Sequence, residues 1–234
     1  MSKVNNSLKI TDIVVLSHIK KKIKKYYLDR DVAKISISMF PQYLVISLVT
    51  LLEDLLTDSL KYVTKNDVNG LYIIDMLVMG NVLSTTSKYD FFNKYIKQYS
   101  DIQYEDSLFF NLTKVLGKLE SKHGDKLMIN SETKRYISFL LLSLQYDICN
   151  LAQKFLKASN RVTMSKDILL ITNEYIIGDE INKKIKLKID CISEMDNKTE
   201  SDNKDSDTKG ESDNEESDND ESDESDESDE ECEN

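Results

Sequence analysis

The sequence predicts an all-α fold in which two similar helical units pair within one chain and are followed by a disordered acidic tail. Three observations predict this fold. The chain has one proline and six glycines in 234 residues, so few turns are obligatory. Its apolar residues recur mostly at spacings of three and four, the period of amphipathic helices. One such apolar stripe also occurs twice, 93 residues apart.

The repeated stripe predicts two long helices. In the second half of the chain it consists of Ile137, Leu141, Leu144, Ile148, Ala152 and Phe155. In the first half the corresponding residues are Leu44, Leu48, Leu51, Leu55, Ser59 and Tyr62. A helix of about 25 residues is close to 37 Å long. Two short neighbouring helices cannot cover an apolar stripe of that length, so we expect the two long helices to cross and cover each other.

Shorter helices are predicted on both sides of each long one. The stripe before the first long helix is Leu16, Ile19, Ile23 and Tyr26, and the one before the second is Leu108, Leu112, Val115 and Leu119. Pro41 marks the start of the first long helix, because proline is tolerated in a first turn. A third helix follows each long one, from about Gly70 and from Ser165. Ser165 fits an N-cap, and Gly178 fits the position just past the helix end.

We predict two units with a short-long-short order of helices, residues 1–88 and residues 89–190, followed by a tail of residues 191–234. Residues 193–234 hold 21 Asp and Glu against three lysines, a net charge of −18; because the whole chain carries −11, the preceding residues carry +7. The tail has almost no apolar residues, so we predict that it is disordered. The tail could simply keep the protein soluble. Alternatively, it folds back on the basic residues of the body and competes there with other anions, or it attracts basic proteins such as histones.

Enzyme and metal chemistry are not predicted. Cys149, Cys191 and Cys232 form no CxxC pair, which excludes a zinc framework and favours a reducing compartment. Neither His18 nor His123 belongs to a catalytic motif, and glycine-rich phosphate loops are absent. We therefore expect no enzymatic activity, no cofactor, no metal and no small-molecule substrate.

A membrane partner is not predicted either. The longest apolar run covers ten residues, Tyr43 to Leu52, and ends at two acidic residues, which makes it too short to span a bilayer. The N-terminal residues are polar and do not form a signal peptide. The expectation is a soluble, intracellular protein.

The segment "RVTMSKDILLI" (Arg161 to Ile171) resembles the second loop and third helix of the histone fold. In that family the loop carries an Arg and a Thr beside a short strand, and an Asp early in the third helix clamps the structure. Arg161, Thr163 and Asp167 occupy the matching positions. In the first unit, "NDVNGLYIIDML" has no Arg, and Asp75 is displaced from the position of the clamping Asp.

Together with the order of the helices, the resemblance covers roughly residues 10–83 and 105–180. It implies two tandem histone-like folds that pair intramolecularly, similar to the histone doublets of large DNA viruses. Such a protein would organise chromatin in the nucleus, or DNA in a viral factory or virion.

The resemblance also implies where duplex DNA would bind. In a histone-like pair the first loop of one unit lies beside the second loop of the other, and the first helices cross the phosphate backbone. The candidate first-helix residues are Lys20, Lys21, Lys24 and Lys25. At the loop pairs they are Arg30 and Lys34 with Arg161 and Lys166, and Lys122 and Lys126 with Lys65. Binding through phosphates depends on salt and is not sequence-specific.

Two other interpretations fit the same residues. Repeated stripes at this spacing are also typical of a generic helical bundle. Alternatively, the units pair with other histone-fold proteins or with core histones, as in a transcription-complex subunit or a histone chaperone whose acidic tail receives basic proteins. Apolar faces left uncovered by pairing would favour that function, whereas aligned loop lysines favour DNA binding.

Overall fold

The protein is mostly helical, which confirms the all-α prediction. The computed structural model describes residues 20, 23, 36–37, 39–63, 71–99, 112–124 and 126–202, without the side chains of residues 113, 123 and 193–202. The helices are α1 (Phe40–Ser59), α2 (Met76–Thr85), α3 (Asn93–Ile96), α4 (Leu112–His123), α5 (Ser131–Ala158), α6 (Lys166–Ile177) and α7 (Asp179–Asp202). A 3₁₀ segment (Ser87–Phe92) and two short strands, β1 (Tyr72–Ile74) and β2 (Leu127–Ile129), complete the described part.

The chain divides into two compact parts, Met1–Glu194 and Met195–Asn234, and this division differs from the two predicted helical units. The first contains α1 to α6, both strands and most of α7. In the second, the described residues are the end of α7. The boundaries that we predict between residues 88 and 89 and between 190 and 191 stay predictions.

Both long helices bury most of each predicted stripe, except that Phe155 is half-buried and Tyr62 lies beyond the end of α1, also half-buried. Their buried stripe residues are Leu44, Leu48, Leu51, Leu55 and Ser59 on α1, and Ile137, Leu141, Leu144, Ile148 and Ala152 on α5. Proline stands in the first turn of α1, as predicted for Pro41. The side chain of Asn130 accepts a hydrogen bond from the Thr133 N–H (2.8 Å) and so caps the start of α5. Helices α1 and α5 contact each other, and both contact α2 and α6.

The third helix of the first unit starts later than predicted. We expected it from about Gly70, but Tyr72–Ile74 forms β1 and α2 begins at Met76. Asp75 accepts a hydrogen bond from the Val78 N–H (2.9 Å) and therefore caps α2. Its counterpart in the second unit is the predicted cap Ser165, which accepts from the Ile168 N–H (3.4 Å).

A further helix follows where the sequence analysis placed only the end of the second unit. Helix α6 ends before Gly178, as predicted, and α7 begins directly after it. Three isoleucines spaced four residues apart, Ile181, Ile185 and Ile189, are buried on α7. Helix α7 continues to Asp202, so residues 191–202 are helical and not disordered as predicted; residues 203–234 of the predicted tail lie outside the described residues.

The strands pair loops that are far apart in sequence. Strand β1, between α1 and α2, is parallel to β2, between α4 and α5, with Tyr72 opposite Leu127 and Ile74 opposite Ile129. A second, isolated parallel bridge joins Ser36, before α1, to Thr163, between α5 and α6. In terms of the two predicted helical units, the loop before each long helix pairs with the loop after the other long helix.

Helix α1 is long and apolar enough to cross a membrane by length and composition. The ten-residue run from Tyr43 to Leu52 is therefore only part of a helix that is long enough to cross a bilayer, contrary to the prediction made from that run. In this structure 72% of the helix's most apolar window is buried inside the protein, which is also true of core helices in soluble proteins. The absence of a membrane partner stays a prediction.

Candidate nucleic-acid interface

The two loop pairs form backbone-bonded junctions. At the first, Tyr72 N–H donates to the Lys126 carbonyl (3.0 Å) and Asn130 N–H donates to the Ile74 carbonyl (3.3 Å). At the second, Ser36 N–H donates to the Val162 carbonyl and Met164 N–H donates to the Ser36 carbonyl, both at 2.8 Å. These bonds hold loops from distant parts of the sequence against each other, so side chains of the loops beside α1 and of those beside α5 can contact one ligand.

The first junction, β1 with β2, carries several exposed cations. The predicted residues Lys122 and Lys126 are exposed near the start of β2, whereas their predicted neighbour Lys65 lies outside the described residues. Two basic residues that the sequence analysis missed, Lys134 and Arg135, follow in the first turns of α5. Lys134 is half-buried and Arg135 is exposed. The signal for them was the adjacent basic pair in "SETKRY", directly after the apolar strand.

The second junction, Ser36 with Thr163, brings fewer free charges to the surface. Arg161 is exposed, and the backbone of Thr163 forms the bridge. Lys166, predicted to bind phosphate, is ion-paired with Asp190 of α7, so its charge is already compensated. Asp167 is exposed in the first turn of α6, and within the described residues no ion pair joins it to Arg161. Arg30 and Lys34 lie outside the described residues.

Little of the predicted first-helix surface is described. Lys20 is exposed and Ile23 is fully buried. Lys21, Lys24 and Lys25 lie outside the described residues, as do the stripe residues Leu16, Ile19, Tyr26 and Leu108. The contribution of this basic run to an interface stays a prediction.

Many lysines neutralise acids of the fold and do not form an external basic surface. Glu53, Asp54 and Asp58 form the acidic edge of α1, where their side chains are only 16–21% exposed. The lysines that bind this edge are Lys118 and Lys188 at Glu53, Lys88 and Lys184 at Asp54, and Lys61 and Lys88 at Asp58. Because these ion pairs come from α4, α7 and the 3₁₀ segment, they tie three elements to α1.

The acidic edge is ionised well below neutral pH. Burial by itself would raise the pKa of Asp58, but hydrogen bonds from Lys61 and Tyr89 and the charge of Lys88 outweigh it and lower this pKa to about 2. The pKa values of Glu53 and Asp54 are also lowered, because their lysine partners overcome the effect of burial.

These lowered pKa values predict acid sensitivity. A carboxylate whose pKa is lower in the folded state contributes stability above its unfolded pKa and loses it as pH falls through the folded pKa. The thermal unfolding midpoint should therefore be nearly constant above about pH 5 and fall between about pH 4 and pH 2. Unfolding followed by circular dichroism across this range measures it. Asp58→Asn should make the fall shallower, and an unchanged pH profile in that variant would contradict the assignment.

A repeated Lys-Tyr pair in the segment between α2 and α4 binds both long helices. Tyr89 donates its hydroxyl hydrogen to Asp58 of α1, and Tyr95 donates to Asp147 of α5, each at 2.7 Å. The preceding lysines, Lys88 and Lys94, form ion pairs with the same two carboxylates. Burial and the neighbouring carboxylate both raise the pKa of each tyrosine, so the hydroxyls stay protonated donors. The sequence analysis did not use this "KYDFFNKY" repeat.

The described residues offer no site for a metal ion, since they contain no group of three or more His, Cys, Asp or Glu side chains suited to one. Cys149 is fully buried, and burial raises the pKa of its thiol. Its sulfur is therefore protonated and inaccessible near neutral pH.

No protein-family model matches the chain, and a search of the curated proteins found no match.

Proposed function

We propose that the protein is a histone-like architectural protein that binds duplex DNA through its phosphates and helps to package or organise it. Its two units would be tandem histone-like folds paired within one chain. The observation that carries the proposal is the reciprocal parallel pairing of loops. A generic bundle packs through helix side chains and does not require backbone hydrogen bonds between the loops of its two halves.

The distribution of unpaired charge supports contact with phosphates. Nine lysines and arginines have no ionic partner among the described residues: Lys20, Lys97, Lys122, Lys126, Lys134, Arg135, Lys154, Arg161 and Lys186. Five of these nine flank the two loop junctions. Clusters of this kind attract phosphates without reading bases.

The chain's arginine content argues for a particular mode of binding. Proteins that wrap DNA tightly insert arginines into the minor groove at each turn. This chain has three arginines, Arg30, Arg135 and Arg161, against 28 lysines. Lysines act as point charges on phosphates, so we expect weaker, strongly salt-dependent binding along the duplex.

The acidic residues after α7 would weaken this binding. Residues 203–234 contain 17 acids and two lysines, a net charge of −15, so residues 1–202 carry +4 when the whole chain carries −11. A tethered anion of this size competes with phosphate for the same cations, and competition is strongest at low salt because screening is weak there.

The first test compares duplex-DNA affinity against salt for the full chain and for residues 1–202. The shorter chain should bind more tightly, and its affinity should fall steeply with salt, because several counterions are released from the DNA. Fluorescence anisotropy with a labelled duplex measures both quantities. Absence of salt-dependent binding by either chain would overturn the proposal.

Charge reversals at the junctions test the interface itself. We expect Lys126→Glu with Arg161→Glu, one at each junction, to weaken binding at least tenfold at low salt and to lower the salt slope by about two. The matched control is Lys97→Glu with Lys186→Glu, which changes net charge equally at exposed lysines outside the junctions. Equal loss of affinity in both variants would mean that net charge, not the junctions, determines binding.

A second candidate function is binding of another histone-fold protein or of core histones. The observation that favours it is a set of exposed apolar side chains on the two helices after the second junction: Ile171 (51% exposed) and Tyr175 (77%) on α6, and Leu187 (66%) on α7. Capture of purified core histones by the full chain, with no DNA binding by residues 1–202, would favour this function.

A further inference from the structure

We propose that α7 is an exchangeable arm, which leaves its own α1 by straightening at Gly178 and docks on the α1 of a second copy. Two chains would then pair by reciprocal exchange of α7. The inference does not depend on DNA binding, since it rests on the hinge, the buried face of α7 and the acidic edge of α1.

The acceptor surface is the acidic edge of α1. Lys188 of α7 contacts Glu53 (2.6 Å), and Lys184 contacts Asp54 (2.8 Å). Both lysines remain more than 40% exposed, whereas both carboxylates are at most 21% exposed. The carboxylates thus belong to the body of the protein, and α7 supplies their partly exposed cations. Any helix with lysines at these positions fits the same edge by charge.

The inner face of α7 makes an undocked state unfavourable. Ile181, Ile185 and Ile189 are at most 1% exposed. Released into water, they would present a continuous apolar stripe. A second copy offers a surface that matches both this stripe and the two lysines, because it has the same sequence. Exchange therefore keeps every α7–α1 contact and changes only which chain provides it.

The hinge is a single residue. Gly178 alone separates Ile177, the end of α6, from Asp179, the start of α7. Its φ of 84° and ψ of 168° lie in a region that essentially only glycine occupies. With helical angles at Gly178, α6 and α7 would become one helix of 37 residues, about 55 Å long. That helix would carry α7 away from its own α1.

Contacts between α6 and α7 hold the hairpin closed in the wild-type chain. Asn182 donates its side-chain N–H to the Leu170 carbonyl (2.9 Å), and Lys166 pairs with Asp190. The ion pair is about one-third exposed on both sides, so it is a weak restraint. The conformational preference of residue 178 should therefore determine how often exchange occurs.

Gly178→Ala is the direct test. No atom lies within 4 Å of the position that the new Cβ would occupy, so the substitution acts on the backbone alone. Alanine disfavours the bent conformation and favours a continuous helix. At equal protein concentration we expect at least a tenfold higher ratio of dimer to monomer, measured by light scattering after size exclusion. Hydrogen exchange should still show protected amides in α7.

The matched control is Gly80→Ala, inside α2, where a Cβ also meets no atom within 4 Å and φ is not positive. It should leave the protein monomeric to the same extent as the wild type. A monomeric Gly178→Ala variant overturns the proposal, whether its α7 amides are protected or not. A dimer whose α7 amides are unprotected overturns it too.

A second measurement needs no substitution and decides the matter if Gly178→Ala does not fold. Unlabelled and ¹⁵N-labelled wild-type chains are mixed, incubated over a range of concentrations and treated with a carbodiimide, which links lysines to carboxylates in contact. Cross-links between the α7 and α1 peptides should include mixed-isotope pairs, in a fraction that rises with concentration. Same-isotope pairs alone at every concentration would show that α7 stays on its own chain.

Discussion

Ile148→Asp is expected to lower the free energy of unfolding by about 3–5 kcal/mol, a large fraction of the stability of an ordinary domain. Ile148 is 1% exposed and lies on the apolar stripe of α5, which packs against α1 and α6. The substitution places a carboxylate among apolar side chains, where it must either remain charged without a partner or bind a proton. Urea denaturation followed by circular dichroism measures the loss.

The control for this prediction is Ile171→Asp, the same substitution on α6 at a side chain that is 51% exposed. It should change the free energy of unfolding by less than about 0.5 kcal/mol. Leu55→Asp, at the fully buried counterpart on α1, should resemble Ile148→Asp. If both buried substitutions left helicity and stability unchanged, the paired long helices could not be the core of the protein.

The long helices could be predicted because their signal is local. The apolar residues of each stripe are three and four positions apart. This spacing places them on one helix face, which is then buried whichever element packs against it. The caps were readable for the same reason: Ser165 acts on an N–H three residues away. Asp75 does the same for α2, although the histone resemblance assigned no role to an Asp at that position.

Strand β1 and helix α7 were missed because distant residues decide them. Tyr72–Ile74 is apolar at positions that also suit a helix, and only β2, more than fifty residues away, selects the extended form. The apolar residues of α7 have helical spacing, but they follow Gly178, which marks the end of the last predicted helix. The lysines of α7 then match acids on α1 that are about 130 residues earlier.

In the candidate interface, too, some features could be predicted from the sequence and others could not. The pairing of the two units' loops was expected from the resemblance, and the structure contains both loop pairs. The assignment of individual lysines was not predictable, since sequence does not say which of them face an acid. Lys166 is paired with Asp190, whereas Lys126 has no described ionic partner. Net charge therefore overstates the basic surface.

A buried amide on α5 leads to a prediction of the opposite sign. Gln145 is fully buried, and neither its amide nitrogen nor its amide oxygen has a hydrogen-bond partner in the structure. An unpaired buried amide costs free energy, because its bonds to water are lost on folding and not replaced. Its neighbours on the same helix face, Leu141 and Cys149, are apolar or weakly polar and offer little compensation.

Gln145→Met should therefore raise the free energy of unfolding by about 1–3 kcal/mol, since methionine has nearly the same length and volume and needs no hydrogen bond. Urea denaturation at neutral pH measures the change, with Gln98→Met, at an exposed glutamine, as the control expected to stay within about 0.5 kcal/mol of wild type. A loss of stability in Gln145→Met would instead show that water or another group satisfies the amide in solution. In that case the amide of Gln145 would determine the register in which the long helices pack, as single buried polar residues do in coiled coils. Gln145→Met should then also broaden the unfolding transition.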